Sequence, residues 1–225
     1  MKRRPEQDLH LIMLANARRE RRLTRRLAKA WRVLTGRDDL YGLKWGDPDN
    51  CPPLRHIRDT YLLPHVHDDT TVVEIGPGGG RWTRYMLHAR RIYAVDPYPE
   101  LLAELRRNFN QPNITFINNS GTDFPGIPDE SVDFIFSFGV FVHLEKPVIA
   151  SYLRNMRRII RPDGVIVLQY SDKTKPLARA NGGFTDNSPE DMRAMAVEHG
   201  YRIRAEDTQT LWHSAVIELT PPPRS

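Results

Sequence analysis

Residues 71–96 read TVVEIGPGGGRWTRYMLHARRIYAVD, and their order decides the fold. TVVEI is a short apolar run of the β-branched kind that fills a strand covered on both faces. Gly76, Gly78 and Gly80 follow at once, RWTRYMLHA predicts a helix, and RIYAVD predicts a second strand. Glycines at such a junction let the backbone turn tightly and approach a ligand, because no Cβ stands in the way. Ligands of wrapped parallel sheets lie at the carboxyl ends of the strands. Glu74 stands at the end of the first strand and Asp96 closes the second. A carboxylate at that second position can accept bonds from both hydroxyls of a ribose.

The same alternation continues outward. PELLAELRRNF predicts a helix, ITFIN and VDFIFSF strands, and EKPVIASYLRNMRRII an amphipathic helix that RPDG stops. GVIVLQY is a further strand. SPEDMRAMAVEHG is a helix capped by Ser188 and ended by Gly200, and YRIRAEDTQ and SAVIELT are two last strands. Short strands separated by helices of ten to fifteen residues make this an α/β chain with a wrapped parallel sheet. A helix over residues 53–63 leads into it.

Upstream the character changes. Residues 1–37 carry a net charge of +9, whereas the remainder carries −4, so the basic balance of the chain belongs to an arm. Leu9, Met13, Ala17, Leu23, Leu27, Trp31 and Leu34 recur mostly at helical spacing within it, and Gly36 marks its end. The expected division is a basic helical arm with a lid or linker over 1–52 and a catalytic domain over 53–225. An apolar stripe among arginines needs burial, which predicts a homodimer formed through the arm. MKRRPEQDLHLIMLANA sketches an export leader, but Asp8 and His10 interrupt its apolar part, so the expected location is cytoplasmic. No run is long enough to span a bilayer, and the single cysteine, Cys51, excludes an internal disulfide framework and a cysteine-built zinc site.

The glycine spacing discriminates among nucleotides. A dinucleotide fingerprint wants its third glycine five residues after the first, where Arg81 stands, and the Gly-Lys-Ser/Thr of a phosphate loop is absent. Gly-x-Gly-x-Gly behind an acidic strand end resembles the first motif of the class I S-adenosylmethionine-dependent methyltransferases. That resemblance, over roughly residues 55–220, implies a Rossmann-like seven-stranded sheet with an antiparallel last strand. It implies that Glu74, Gly76, Gly78 and Gly80 line the methionine part of S-adenosylmethionine and that Asp96 holds the ribose. Asp123, with Thr122 beside it, matches the position that meets the adenine amino group. Ser137 and Phe138 match the segment at the sulfonium end.

The acceptor is read from the rims of the strands. The aromatic Pro-Pro motif of base-amino methylation is missing after the fourth strand, where the chain reads SFGVFVHL, and Cys51 lies outside the core motifs. His143, just past that strand, is the candidate base, since imidazole titrates near neutral pH and can take a hydroxyl proton. Tyr170 ends the GVIVLQY strand and is a second candidate, followed by Asp172; His213 is the third, paired with Trp212 as an aromatic and imidazole suited to a sugar face. Tyr41 and Trp45 are candidates for a lid over the cofactor. WGDPDNCPP, EIGPGGGRWTRY, QYSDKTKP and TLWHS together resemble bacterial O-methyltransferases of glycan and polysaccharide synthesis, among them those of methylmannose polysaccharide. This implies an oligosaccharide acceptor, specifically a short 3-O-methylated mannoside at O1, and leaves Mg2+ open. An RNA methyltransferase using the basic arm and a non-catalytic cofactor-binding module are the competing readings. The acidic body disfavours nucleic acid.

Overall fold

The computed structural model describes residues 41–222. The arm expected to be helical, and the dimer contact assigned to it, lie outside the described residues. Strands β1 (Thr71–Ile75), β2 (Arg91–Asp96), β3 (Ile114–Asn118), β4 (Val132–Ser137), β5 (Ile160–Ser171), β6 (Arg202–Asp207) and β7 (Ser214–Thr220) form one sheet in the order β3-β2-β1-β4-β5-β7-β6. All neighbours run parallel except β7, which is antiparallel to both β5 and β6. The chain leaves β1 toward β2 and β3, then returns to build β4 and β5 on the other side. That reversal makes a topological switch point at the carboxyl ends of β1 and β4, the place where α/β sheets hold their ligands. Register brings the chemistry to that edge: Ile75 pairs with both Val95 and Ser137, and Asp96 pairs with Asn118.

Helices α1 (Pro52–Ile57), α2 (Pro99–Asn108), α3 (Lys146–Ile159), α4 (Pro176–Ala180) and α5 (Pro189–Glu198) accompany the sheet. In α3 the residues Ile149, Tyr152, Leu153, Met156 and Ile159 are buried, the stripe that a helical period lays on one face. They pack with α5 and with one face of the sheet, including Ile166, Leu168 and Tyr170. The opposite face carries α1, α2 and Trp82 against Val72, Phe134 and Phe136. Ser188 caps α5 as its side chain implies, its Oγ accepting the Asp191 N–H at 3.1 Å. Among the described residues no helix is long and apolar enough to cross a membrane.

Three local expectations are corrected. The helix expected over 81–89 is a series of turns around one 3₁₀ turn, Thr83–Tyr85. Between β1 and β2, i→i−3 bonds such as Met86 N–H to Thr83 O replace α-helical ones. The helix over 53–63 passes into a π turn at Arg58–Leu62 and a 3₁₀ turn at Leu63–His65, since Pro64 has no N–H to continue the ladder. RPDG is not a loop before β5. Ile160 already pairs with Val132, and the next pair is Val165 with Phe134, so residues 161–164 bulge within the strand.

The glycine turn packs unevenly. A Cβ on Gly80 would stand 2.2 Å from the Phe109 ring and 2.9 Å from Leu105 Cδ1 at a φ of +98°, whereas one on Gly78 (φ +53°) would meet nothing within 4 Å. Gly80→Ala is therefore expected to destabilise by about 3 kcal/mol or more and to lower the melting temperature by roughly 6–12 °C. Gly78→Ala should lose only about 1–2 kcal/mol. Thermal denaturation of the two variants checks the order, and equal losses would contradict this packing.

Candidate active site

The site begins with Glu74 at the end of β1. Its side chain is buried, and Oε2 accepts a 2.5 Å bond from Thr83 Oγ1, which ties the strand end to the far side of the glycine turn. Sequence reading missed Thr83, whose only signal is its place in RWT. Gly76 takes a φ of +69°, its N–H donates to Val95 O at 2.9 Å, and Val140 Cγ2 stands 2.1 Å from where a Cβ would be. The glycine turn is thus closed against the segment after β4. From above, residues 41–51 cross it as a strap. A Cβ on Gly79 would meet the backbone of Tyr41 and Gly42 at 2.9 Å, and Tyr41 stacks on Phe109 at 4.9 Å. Arg81 donates to the carbonyl of Trp45 at 2.8 Å and lies over the rings of Trp82 and Phe138. The two lid candidates therefore belong to this strap, Tyr41 as an inward anchor and Trp45 with its ring 73% exposed.

Asp96 stands at the end of β2, with Oδ1 accepting the Tyr98 N–H at 2.9 Å. Burial raises its pKa and the Tyr98 bond opposes that rise. Oδ2 accepts no hydrogen bond among the described residues. Ser120 donates to Asp123 Oδ1 through both its N–H and its hydroxyl, and these bonds hold that carboxyl below the usual range. Thr122 uses its carbonyl to accept from Asn155 Nδ2. Next to them Asn119 donates to Asp123 O, yet its buried Oδ1 has no partner among the described residues. An orphaned acceptor beside Asp123, with open space at Gly78 and a spare oxygen on Asp96, fits an adenosine-bearing cofactor. Asn119 is a second residue that sequence reading passed over.

Ser137 ends β4 beside Ile75 with its side chain turned inward. Its side chain is fully buried and its hydroxyl donates to Ile75 O at 2.9 Å, locking β4 to β1. Phe138 does reach the rim, 4.7 Å from Trp82 between ring centroids. Tyr170 is reassigned. It points into the core beneath α3 and α5, and its hydroxyl donates to Glu206 at 2.5 Å. Burial and that carboxylate raise its pKa far above the ordinary range, so it is no proton acceptor at neutral pH. Asp172 caps its own turn, accepting from the N–H and hydroxyl of Thr174 and pairing with Lys175 at 3.4 Å.

His143 and His213 both pack on one residue, Phe184. The His143 ring lies 5.4 Å from Phe184 and the His213 ring 5.2 Å from the same residue, both edge to face. Nδ1 of His143 is 2.6 Å from Gly183 O. A carbonyl only accepts, so Nδ1 carries a proton, and Nε2 is the ring nitrogen left to act as a base. His213 differs: burial, reinforced by the Lys175 charge, lowers its pKa, and its Nδ1 has no partner among the described residues. Trp212 beside it is half-buried. Among the described residues no three His, Cys, Asp or Glu side chains gather to hold a metal ion.

Residues 72–164 match the family model described as a methyltransferase domain. An uncharacterized methyltransferase-like protein of Schizosaccharomyces pombe is 32% identical over 128 residues, which cover 53% of this chain and 45% of that protein. The chain spans about half the length of the curated relatives it matches. A solved protein of Pyrococcus horikoshii superposes with a TM-score of 0.66 at 14% identity, over 86% of this chain and 99% of its own. The complex of DhpI with SAH superposes at 0.61 and 18% identity, over 93% and 98%. Residues 72–164 are thus similar to a methyltransferase domain, and the whole sheet has the Rossmann-like fold of the solved methyltransferases.

Burial pushes the Glu74 carboxyl up to about 7 from 4.5, against the Thr83 bond and the Arg81 charge. Between those values the folded protein keeps a proton that the unfolded chain has lost. Stability from this group therefore falls as pH rises from about 4.5 to about 7. Melting temperatures of wild type and Glu74→Gln across that window check it: the variant should decline less steeply, and identical slopes would contradict the assignment.

Proposed function

We propose that the protein transfers the methyl group of S-adenosylmethionine to a hydroxyl of a small sugar or oligosaccharide, with a short 3-O-methylated mannoside methylated at O1 as its specific acceptor. The observation that carries this reading is the bond from His143 Nδ1 to Gly183 O, which leaves Nε2 as a base. A hydroxyl needs such a base, whereas a stronger nucleophile does not. The His143 N–H also donates to Val140 O, and Val140 is the residue packed on Gly76. The segment that bears the base therefore packs against the glycine turn.

S-adenosylmethionine would supply the electrophilic methyl carbon, with its neutral thioether as the leaving group. The chain supplies position. Asp96 takes the ribose, Asn119 and Asp123 meet the adenine edge, and the glycine turn admits the methionine portion at Gly78. His143 Nε2 receives the hydroxyl proton as the acceptor oxygen bonds to the methyl carbon, and most of the remaining acceleration comes from alignment. His213, held neutral at pH 7, and Trp212 flank the acceptor with hydrogen-bonding and apolar surface. The basic arm, on the same reading, contacts a second subunit; the acidic balance of the remaining chain is complementary to it.

Incubating the purified protein with labelled methyl donor and separate oligosaccharide and RNA fractions tests the acceptor. Label in the oligosaccharides is expected; label confined to RNA would overturn the reading in favour of the arm as a nucleic-acid element. His143→Ala should bind the cofactor product within about two-fold of wild type while turnover falls by about 100-fold or more. Near-normal turnover would remove His143 as base.

A further inference from the structure

Residues 181–187, between α4 and α5, contain no site motif, and Phe184 within them is a half-buried aromatic in an otherwise small and polar stretch, NGGFTDN. The loop is fastened at several points. Gly183 N–H donates to Asn181 Oδ1 at 3.0 Å, and Phe184 N–H to Asn181 O at 3.1 Å. Thr185 then reaches across to the segment that bears His143: its N–H donates to Val142 O at 3.0 Å and its hydroxyl to Leu144 O at 2.9 Å. Lys173 donates its N–H to Asn187 O at 2.8 Å and its ammonium to Asn181 O at 3.2 Å. Residues on both sides of Phe184 are therefore fixed, and its ring contacts both imidazoles edge to face.

We propose that Phe184 is a positioning residue for the base: packed edge to face on both His143 and His213, it holds Gly183 O against His143 Nδ1 and so keeps Nε2 bare for the acceptor. The catalytic part of this rests on the hydroxyl-methylation reading above; the orientation of the ring does not. A free imidazole in water favours the Nε2–H form, so the opposite tautomer must be held in place, and an exposed ring with one hydrogen bond needs a second constraint to stay there. The edge-to-face contact supplies it, since such aromatic pairs prefer defined geometry. Phe184 also packs on His213, whose Nδ1 is buried and unpartnered among the described residues. Removing the ring would free both imidazoles at once.

The test combines a structural and a kinetic readout on the full chain. Long-range ¹H–¹⁵N spectra of the histidine rings report the tautomer directly. Wild type is expected to show His143 with the proton on Nδ1, and Phe184→Ala to shift it toward Nε2. In the labelled-methyl assay on oligosaccharide, Phe184→Ala should lose about ten-fold or more in kcat, with affinity for the cofactor product within about two-fold. Phe184→Tyr, which keeps the ring, should restore both readouts. Phe184→Leu keeps bulk without a π face and guards against loss of folding; it should resemble Phe184→Ala. An unchanged tautomer in a folded Phe184→Ala or Phe184→Leu protein overturns the proposal. If wild type methylates no hydroxyl acceptor while the tautomer still shifts, the reaction reading fails and the positioning role of Phe184 stands.

Discussion

Close approach of backbone at the glycine turn is the constraint on which the rest of the site depends. Val140 and Phe109 occupy the space that side chains at Gly76 and Gly80 would need, and the strap backbone occupies the space above Gly79. Only at Gly78 does the turn face open room. The turn thereby gathers three elements that are distant in sequence: the segment after β4, the end of α2 and the strap. Glu74 and Thr83 close it from within by a buried bond, which is why a carboxyl whose charge is disfavoured by burial is retained there.

Electrostatics then fixes the strap. Arg84 pairs with Asp47 and Asp49, Arg58 with Asp49 and Asp59, and Tyr85 donates to Asp49 at 2.8 Å. Single ion pairs at a surface contribute little, but a shared network around Asp47 and Asp49 restrains several side chains together. The Arg84–Asp47 and Tyr85–Asp49 contacts tie the strap directly to residues of the glycine crossover, and Arg81 grips the backbone at Trp45 and Gly46. Strap and crossover are thus one unit, even though they are separated by the whole of α1 and β1.

How far the sequence foretold this depends on the range of the forces involved. Strand positions were legible because apolar runs and glycine punctuation are local; the α/β class followed from their alternation, and the antiparallel last strand from the family resemblance. The helix expected at 81–89 failed because periodicity in RWTRYMLHA says nothing about tertiary bonds such as that of Thr83 to Glu74. Glu74 and Asp96 were legible as strand-end acids. Ser137 and Tyr170 also sit at strand ends, yet their hydroxyls are satisfied by Ile75 and Glu206, partners that only the assembled sheet brings near. Asn119, Thr83 and Phe184 carry no motif. Their importance arises from an orphaned oxygen, a buried bond and a ring packed on two imidazoles, each a product of tertiary packing.

The carboxyl ends of β1, β2 and β4 are proposed to bind S-adenosylmethionine, and calorimetric titration of the protein with S-adenosylhomocysteine tests that most directly. One-to-one binding is predicted, weakened about ten-fold or more by Asp96→Ala, the scale of losing hydrogen bonds to a charged group. Absence of binding by wild type at millimolar ligand, or an Asp96→Ala affinity equal to wild type, would contradict it.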